Sequence, residues 1–279
     1  MKIKMNNLKL LLLYFFIFNT SIITGQSSGY DISTMLEEIF EKILVSKNDS
    51  EKLRLNDSVR LLIDEYIMSD SVFDHRFTNL KYLGQIDSPD EKIKMVTWNI
   101  PLREGPNMYF LYLIKRDTKK SGKKVFRLEG VNRPEKIRND TIYTESNWYG
   151  ALYYDIRPFR NEKETCYILL GLDTDNLYMS RKIIEVLSFG ENGEIIFGRP
   201  CFIRDNENRF REVLEYSAEG LVSLRMGSNK LIVFDRLDAF ATGHSGDNGQ
   251  YGAGIALDGY RLKKGYWNFV EDVDIKKLK

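Results

Sequence analysis

Lys182-Ile183-Ile184-Glu185-Val186-Leu187-Ser188-Phe189 runs straight into Gly190-Glu191-Asn192-Gly193-Glu194, and the reading of this stretch decides the fold. The apolar density of the first part is that of a strand covered on both faces. Asn192-Gly193 tolerates the positive φ that a tight hairpin turn demands. The stretch therefore predicts the middle strand of an antiparallel meander, with a strand from Cys166 to Gly171 on one flank and one from Glu194 to Ile203 on the other. That order separates Cys166 and Cys201 by about two strand spacings, or ~9.6 Å, beyond the reach of a disulfide. Two buried thiols are expected, although an oxidising compartment favours pairing.

Working outward, short runs of β-branched and aromatic residues with a period of two are separated by Gly, Asn, Asp and Pro all the way from Phe77 to the C-terminal region. Strands are expected near Lys81 to Ile86, Lys92 to Trp98, Met108 to Lys115 and Lys124 to Leu128. A second group comprises Gly150 to Ile156 and the three strands of the meander. Further strands are expected at Arg211 to Tyr216, Leu221 to Met226, Leu231 to Asp235, Gly254 to Leu262 and Tyr266 to Val270. Four-strand groups about 45 residues long suggest propeller blades, but no clean period survives comparison of the groups. The fold class is therefore mainly β, with antiparallel meander sheets arranged as an incomplete propeller or a β-sandwich.

Upstream the period changes to that of a helix. Met35, Leu36, Ile39, Ile43 and Leu44 form one stripe after a Thr34–Glu37 capping box, and Val59, Leu62, Ile63, Tyr66 and Ile67 form a second after Asn56 or Asp57 as cap. Both stripes are expected to pack on the β region. Still earlier, Lys2, Lys4 and Lys9 precede the apolar run Leu10 to Phe18 and the small, polar stretch Asn19 to Gly25. This is the order of a secretory signal peptide. Its core is too short for the ~20 residues of a spanning helix, so no membrane span is expected after cleavage at Gly25. The expected organisation is a signal peptide at 1–25, a helical segment at 26–76 and an antiparallel β domain at 77–279, in a periplasmic or secreted protein.

Composition excludes several functions. Across 279 residues, 41 Lys and Arg oppose 40 Asp and Glu, which leaves no basic field for nucleic acid. Two His and two Cys are too few for a multi-His metal centre or a zinc ribbon. No phosphate-binding loop, dinucleotide fingerprint or H-E-x-x-H motif is present, and neither a cofactor nor a metal is expected.

Asn147-Trp148-Tyr149-Gly150-Ala151-Leu152-Tyr153-Tyr154, Tyr167 to Asp173 and Lys182 to Phe189, with Glu215-Tyr216-Ser217-Ala218, Ile232 to Asp235 and Asp258-Gly259-Tyr260, resemble a family of secreted proteins of Bacteroidota-type bacteria. The family carries no assigned activity, so the resemblance implies compartment and fold unity and no catalytic residue. Asp57-Ser58-Val59, Asp70-Ser71-Val72 and Asp140-Thr141-Ile142 also resemble the acid, hydroxyl, aliphatic tripeptide that such bacteria use for O-glycosylation.

The candidate ligand-binding residues are Trp148, Tyr149, Tyr153, Asp173, Asp175, His244 and Asp247. The first three belong to the densest aromatic cluster, where ring faces stack on sugars or peptides, although Tyr153 and Tyr154 point to opposite sides of one strand. Asp173 and Asp175 gather hard oxygen ligands in a loop, but Tyr178 and Ile184 stand where an EF-hand needs Gly and Glu. Gly243-His244-Ser245-Gly246-Asp247 nearly spells a nucleophile elbow, yet lacks the closing Gly and the following helix. His75 is expected as a junction residue between helices and strands. The chain thus reads as a non-enzymatic envelope protein, a module that binds a protein or glycan partner or helps an envelope assembly. The alternative is a hydrolase of envelope glycans or peptides, with a pair of carboxylates for acid and base.

Overall fold

The period-two pattern resolves into three sheets stacked face to face, with the two helices laid over the outer face of the first. The structure is a computed structural model and describes residues 28–78, 80–117, 122–130, 136–174, 178–239 and 251–274. The expected signal peptide lies outside the described residues.

Helix α1 (Ser28–Val45) buries Ile32, Leu36, Phe40 and Ile43, spaced three or four residues apart as a helical stripe requires. Helix α2 (Asp49–Met68) buries Val59, Ile63, Tyr66 and Ile67. Both helices start earlier than the capping signals at Thr34 and Asn56 predict. The cap of α2 is Asn48, whose side chain accepts the Glu51 N–H at 3.0 Å. Asn56 is instead a buried side chain whose Oδ1 accepts the Trp98 indole N–H at 2.7 Å, a tertiary partner that reads in sequence as a cap.

The first sheet follows chain order, β1 (Gly84–Asp87), β2 (Ile93–Ile100), β3 (Met108–Asp117) and β4 (Gly122–Gly130). Alternation sends Val96, Trp98, Phe110, Tyr112 and Ile114 toward the helices, and Met95, Tyr109, Leu111, Leu113 and Phe126 toward the second sheet. The second sheet comprises β5 (Tyr143–Thr144), β6 (Leu152–Asn161), β7 (Glu164–Asp173), β8 (Met179–Phe189) and β9 (Ile195–Phe197), in the order β5-β9-β8-β7-β6. Strand β8 is covered on both faces as its composition requires, with Ile183 and Leu187 in the core shared with the first sheet and Ile184 and Val186 in that shared with the third.

The predicted strand from Glu194 to Ile203 is broken in two. β9 ends at Phe197, and β10 (Phe202–Arg204) belongs to the third sheet. Gly198 turns the chain at φ +101°, and Pro200 lacks an N–H to continue a ladder. The edge of β8 that β9 vacates is taken by β12 (Glu212–Ser217), paired from Glu212 opposite Ile184 to Ser217 opposite Met179. Cys201 therefore does not flank β8. It joins Cys166 in the core between the second and third sheets, and both thiols are buried and free.

The third sheet adds β11 (Glu207–Arg209), β13 (Leu224–Ser228), β14 (Leu231–Ala239), β15 (Tyr251–Lys263) and β16 (Tyr266–Val270), in the order β11-β10-β16-β15-β14-β13. All its pairs are antiparallel except β10 with β16. Among the described residues no sheet closes into a barrel.

Candidate functional site

The predicted aromatic platform is an interior feature. Trp148, Tyr149 and Tyr153 are 1%, 0% and 1% exposed, so none offers a ring face to a ligand. Gly150, at φ +89°, turns the segment where all three rings join the core between the first two sheets, Trp148 and Tyr153 on Phe197 and Tyr149 on Tyr143. Tyr149 Oη donates to Glu185 Oε2 at 2.7 Å, and Trp148 Nε1 donates to Tyr153 Oη at 3.3 Å. Burial beside the Glu185 carboxylate pushes the Tyr149 and Tyr153 hydroxyls well above the usual tyrosine range.

Tyr154, on the opposite side of β6, is 40% exposed, as alternation predicts. Asp173 is fully buried, with Arg181 Nη1 at 3.2 Å from its Oδ2 and the same guanidinium bonded through Nε to Glu215 at 2.7 Å. Asp175, His244 and Asp247 lie outside the described residues. His75 is exposed at the junction of helices and strands, with its ring edge-on to Phe77. Of the tripeptide hydroxyls, Ser71 is exposed in the turn after α2, whereas Ser58 and Thr141 are half-buried.

The structure brings together a different set of residues, between one end of the first sheet and one end of the second. A groove of about 350 Å³ is lined by Lys92, Lys115 and Arg116 on one wall and by Glu164, Tyr167 and Phe189 on the other. The register explains the convergence. Lys115 near the end of β3 pairs with Ile93 at the start of β2 and with Lys124 near the start of β4. The opposing wall comes from the start of β7 and the end of β8.

Lys115 Nζ lies 3.8 Å from the centroid of the Phe189 ring, and Lys124 Nζ lies 4.8 Å from that of Phe126. The two rings are 5.9 Å apart. Lys124 Nζ also donates to the Gly193 carbonyl at 2.8 Å. Burial, reinforced by the Lys124 charge, holds the Lys115 ammonium below the usual lysine range. Arg116 is anchored by a bond from Nε to the Glu91 carbonyl at 3.1 Å, its guanidinium 4.1 Å from the Phe73 centroid.

The acids around this groove are partly engaged already. Asp90 Oδ2 accepts Tyr167 Oη at 3.0 Å and stands 3.7 Å from Lys92 Nζ, while Glu164 accepts Arg199 Nη1 at 2.5 Å. Chemically, the groove offers cations, hydroxyls and one aromatic face. Its described lining also carries the carboxylates Glu164 and Glu191.

No single run of sequence carries this site. Lys92 precedes β2, Lys115 lies in β3 and Lys124 in β4, and only the alignment of two hairpins sets them at one end of the sheet. Comparisons with family models, with curated proteins and with solved structures found no match to this chain.

Proposed function

We propose that the protein is an exported envelope protein that works by binding, and that the groove between the first two sheets is where a partner protein or glycan docks. Export is supported by the basic, apolar, then small-residue order of residues 1–25. Among the described residues no helix is long and apolar enough to cross a membrane.

The observation that carries the reading is Lys115. Its ammonium rests on the Phe189 ring in an open groove, while the aromatic cluster and its Glu185 are sealed inside the core. A half-buried cation on an aromatic face, among hydroxyls at the mouth of an open groove, is built to hold a ligand.

The test is equilibrium binding of the purified protein to isolated envelope glycan and peptide fractions, with product analysis on the same samples. Retention without turnover, weakened by Lys115→Gln, is the expected result. Release of cleaved product by the wild type would overturn the binding reading in favour of a hydrolase.

A further inference from the structure

We infer that the groove is an oxyanion site, with Lys115 as its central ligand and the facing Lys124 completing the positive field, and that it takes a phosphoryl or carboxylate group of the ligand. The inference rests on the binding reading above and names the chemistry that the ligand must carry.

Charge placement is the first argument. Lys115 and Lys124 are directly opposed on neighbouring antiparallel strands, an arrangement that like charges disfavour. No carboxylate of the described residues stands within ion-pair distance of either ammonium; the neighbouring Asp117 only partly offsets the charge of Lys115. Some neighbouring cations are matched to carboxylates, Lys94 with Asp87 at 3.0 Å, Arg127 with Asp64 at 2.7 Å and Arg211 with Glu185 at 2.8 Å, whereas Lys123 reaches the Ser69 carbonyl and Lys182 the Tyr154 ring. Among the described residues, Lys115 and Lys124 are thus two like charges directly opposed with no carboxylate in ion-pair reach.

The second argument is solvation. The ring under Lys115 takes one side of the ammonium out of water and returns only a quadrupole attraction in exchange. Lys115 lines the groove, where an oxyanion would accept an N–H of its ammonium in a charge-assisted hydrogen bond. Arg116, next in the strand, points to the other face and rests its guanidinium on Phe73, so the groove-side charge comes from Lys115 and Lys124.

The third argument is the state of the acids. Asp90 and Glu164 are already bonded to Tyr167, Lys92 and Arg199, which leaves Glu191 as the exposed acid of the lining. The field in the groove is therefore net positive. Its volume of about 350 Å³ suits one small charged group with its immediate substituents.

The probes are inorganic phosphate, glucuronate and neutral glucose, titrated at low ionic strength against the full chain and followed by calorimetry and amide NMR shifts. Saturable binding of phosphate or glucuronate, with shifts at Lys115 and Phe189 and none from glucose, is expected. Tighter binding of phosphate would identify a phosphorylated ligand, and tighter binding of glucuronate an acidic sugar or peptide carboxylate. Lys115→Gln should weaken binding about tenfold, Lys124→Gln a few-fold, and Lys115→Arg little. Added salt should weaken it further.

Absence of saturable binding by both anions, or equal affinity of the wild type and a folded Lys115→Gln, would overturn the inference. Should Lys115→Gln fail to fold, unchanged affinity in Lys124→Gln serves as the overturning result. A glycan or peptide retained by the wild type and by Lys115→Gln alike, with no anion binding, rejects the oxyanion site and leaves the broader binding reading intact.

Discussion

Arg211 and Glu185 form an ion pair with neither side chain exposed, Nε standing 2.8 Å from Oε2. The remaining N–H groups of Arg211 reach the carbonyls of Arg138, Thr141 and Phe197, so one guanidinium ties the end of β9 and the segment before β5 to β8. Removing one partner leaves a buried charge without compensation, whereas removing both does not. Arg211→Met should therefore cost about 3–5 kcal/mol in urea unfolding. The double variant Arg211→Met with Glu185→Gln should cost clearly less than the sum of the two single changes. Additive costs would mean that the two groups do not act as a pair.

Two glycines at positive φ separate backbone strain from crowding. Gly105, at φ +101°, has nothing within 4 Å of where a Cβ would stand, but at Gly150, φ +89°, a Cβ would lie 2.9 Å from the Tyr109 Cβ. Gly105→Ala should cost about 1 kcal/mol from conformation alone. Gly150→Ala should cost about 1–3 kcal/mol more, because the core must shift to admit the methyl. Thermal unfolding of the two variants side by side measures the difference, and equal losses would place the whole cost in the backbone.

Lys115 should weaken the fold at neutral pH. Its folded pKa lies below the ordinary 10.5, so between the two values the unfolded chain binds the extra proton and stability rises with pH. Below that window the full penalty of burying a charged ammonium beside Lys124 is present. Lys115→Met should thus unfold at the same or a slightly higher temperature at pH 7, a gain of less than about 1 kcal/mol given the partial exposure of the group. The gain should shrink toward pH 10. A large loss of stability at pH 7 would show that the contact with Phe189 outweighs the desolvation.

Cys166 and Cys201 should be silent toward a thiol reagent in the folded protein, and both should appear after denaturation. Burial and the neighbouring Cys166 push the Cys201 thiol up to about 12 from an ordinary 9.0. In that window the folded chain keeps protons that the unfolded chain loses, so stability should fall as pH rises from about 9 to about 12. Buried Tyr149 and Tyr260, both raised from 10.0, add to the same alkaline loss. Thiol counting in native and denatured samples, with unfolding followed against pH, checks both statements. No thiols in either state would mean a disulfide.

Much of the β architecture is legible in the runs themselves. The expected strands Lys92 to Trp98, Met108 to Lys115 and Lys124 to Leu128 are β2, β3 and β4, because one-sided burial imposes a period of two that survives in composition. The Asn192-Gly193 signal is the hairpin between β8 and β9, with Gly193 at φ +76°. The helix starts were misplaced because Asn56 is a capping residue type put to another use, as acceptor for a buried indole. Among the candidate site residues, the density of Trp148, Tyr149 and Tyr153 marked them as important, yet density alone does not distinguish a platform from a core.

The short strands β5, β10 and β11 do not follow from local pattern, whereas most of the longer strands and the existence of both helices do, as do the cover on both faces of β8 and the opposite directions of Tyr153 and Tyr154. All of these follow from the repeat of a single segment against water. Only the tertiary structure decided that β9 and β12 share one edge of β8, that Cys166 and Cys201 face the same core, and that Lys115 lies opposite Lys124 on the Phe189 ring. Those relations are set by register and sheet assignment between segments distant in the chain. A periodic run records that a face is buried, but not what it is buried against.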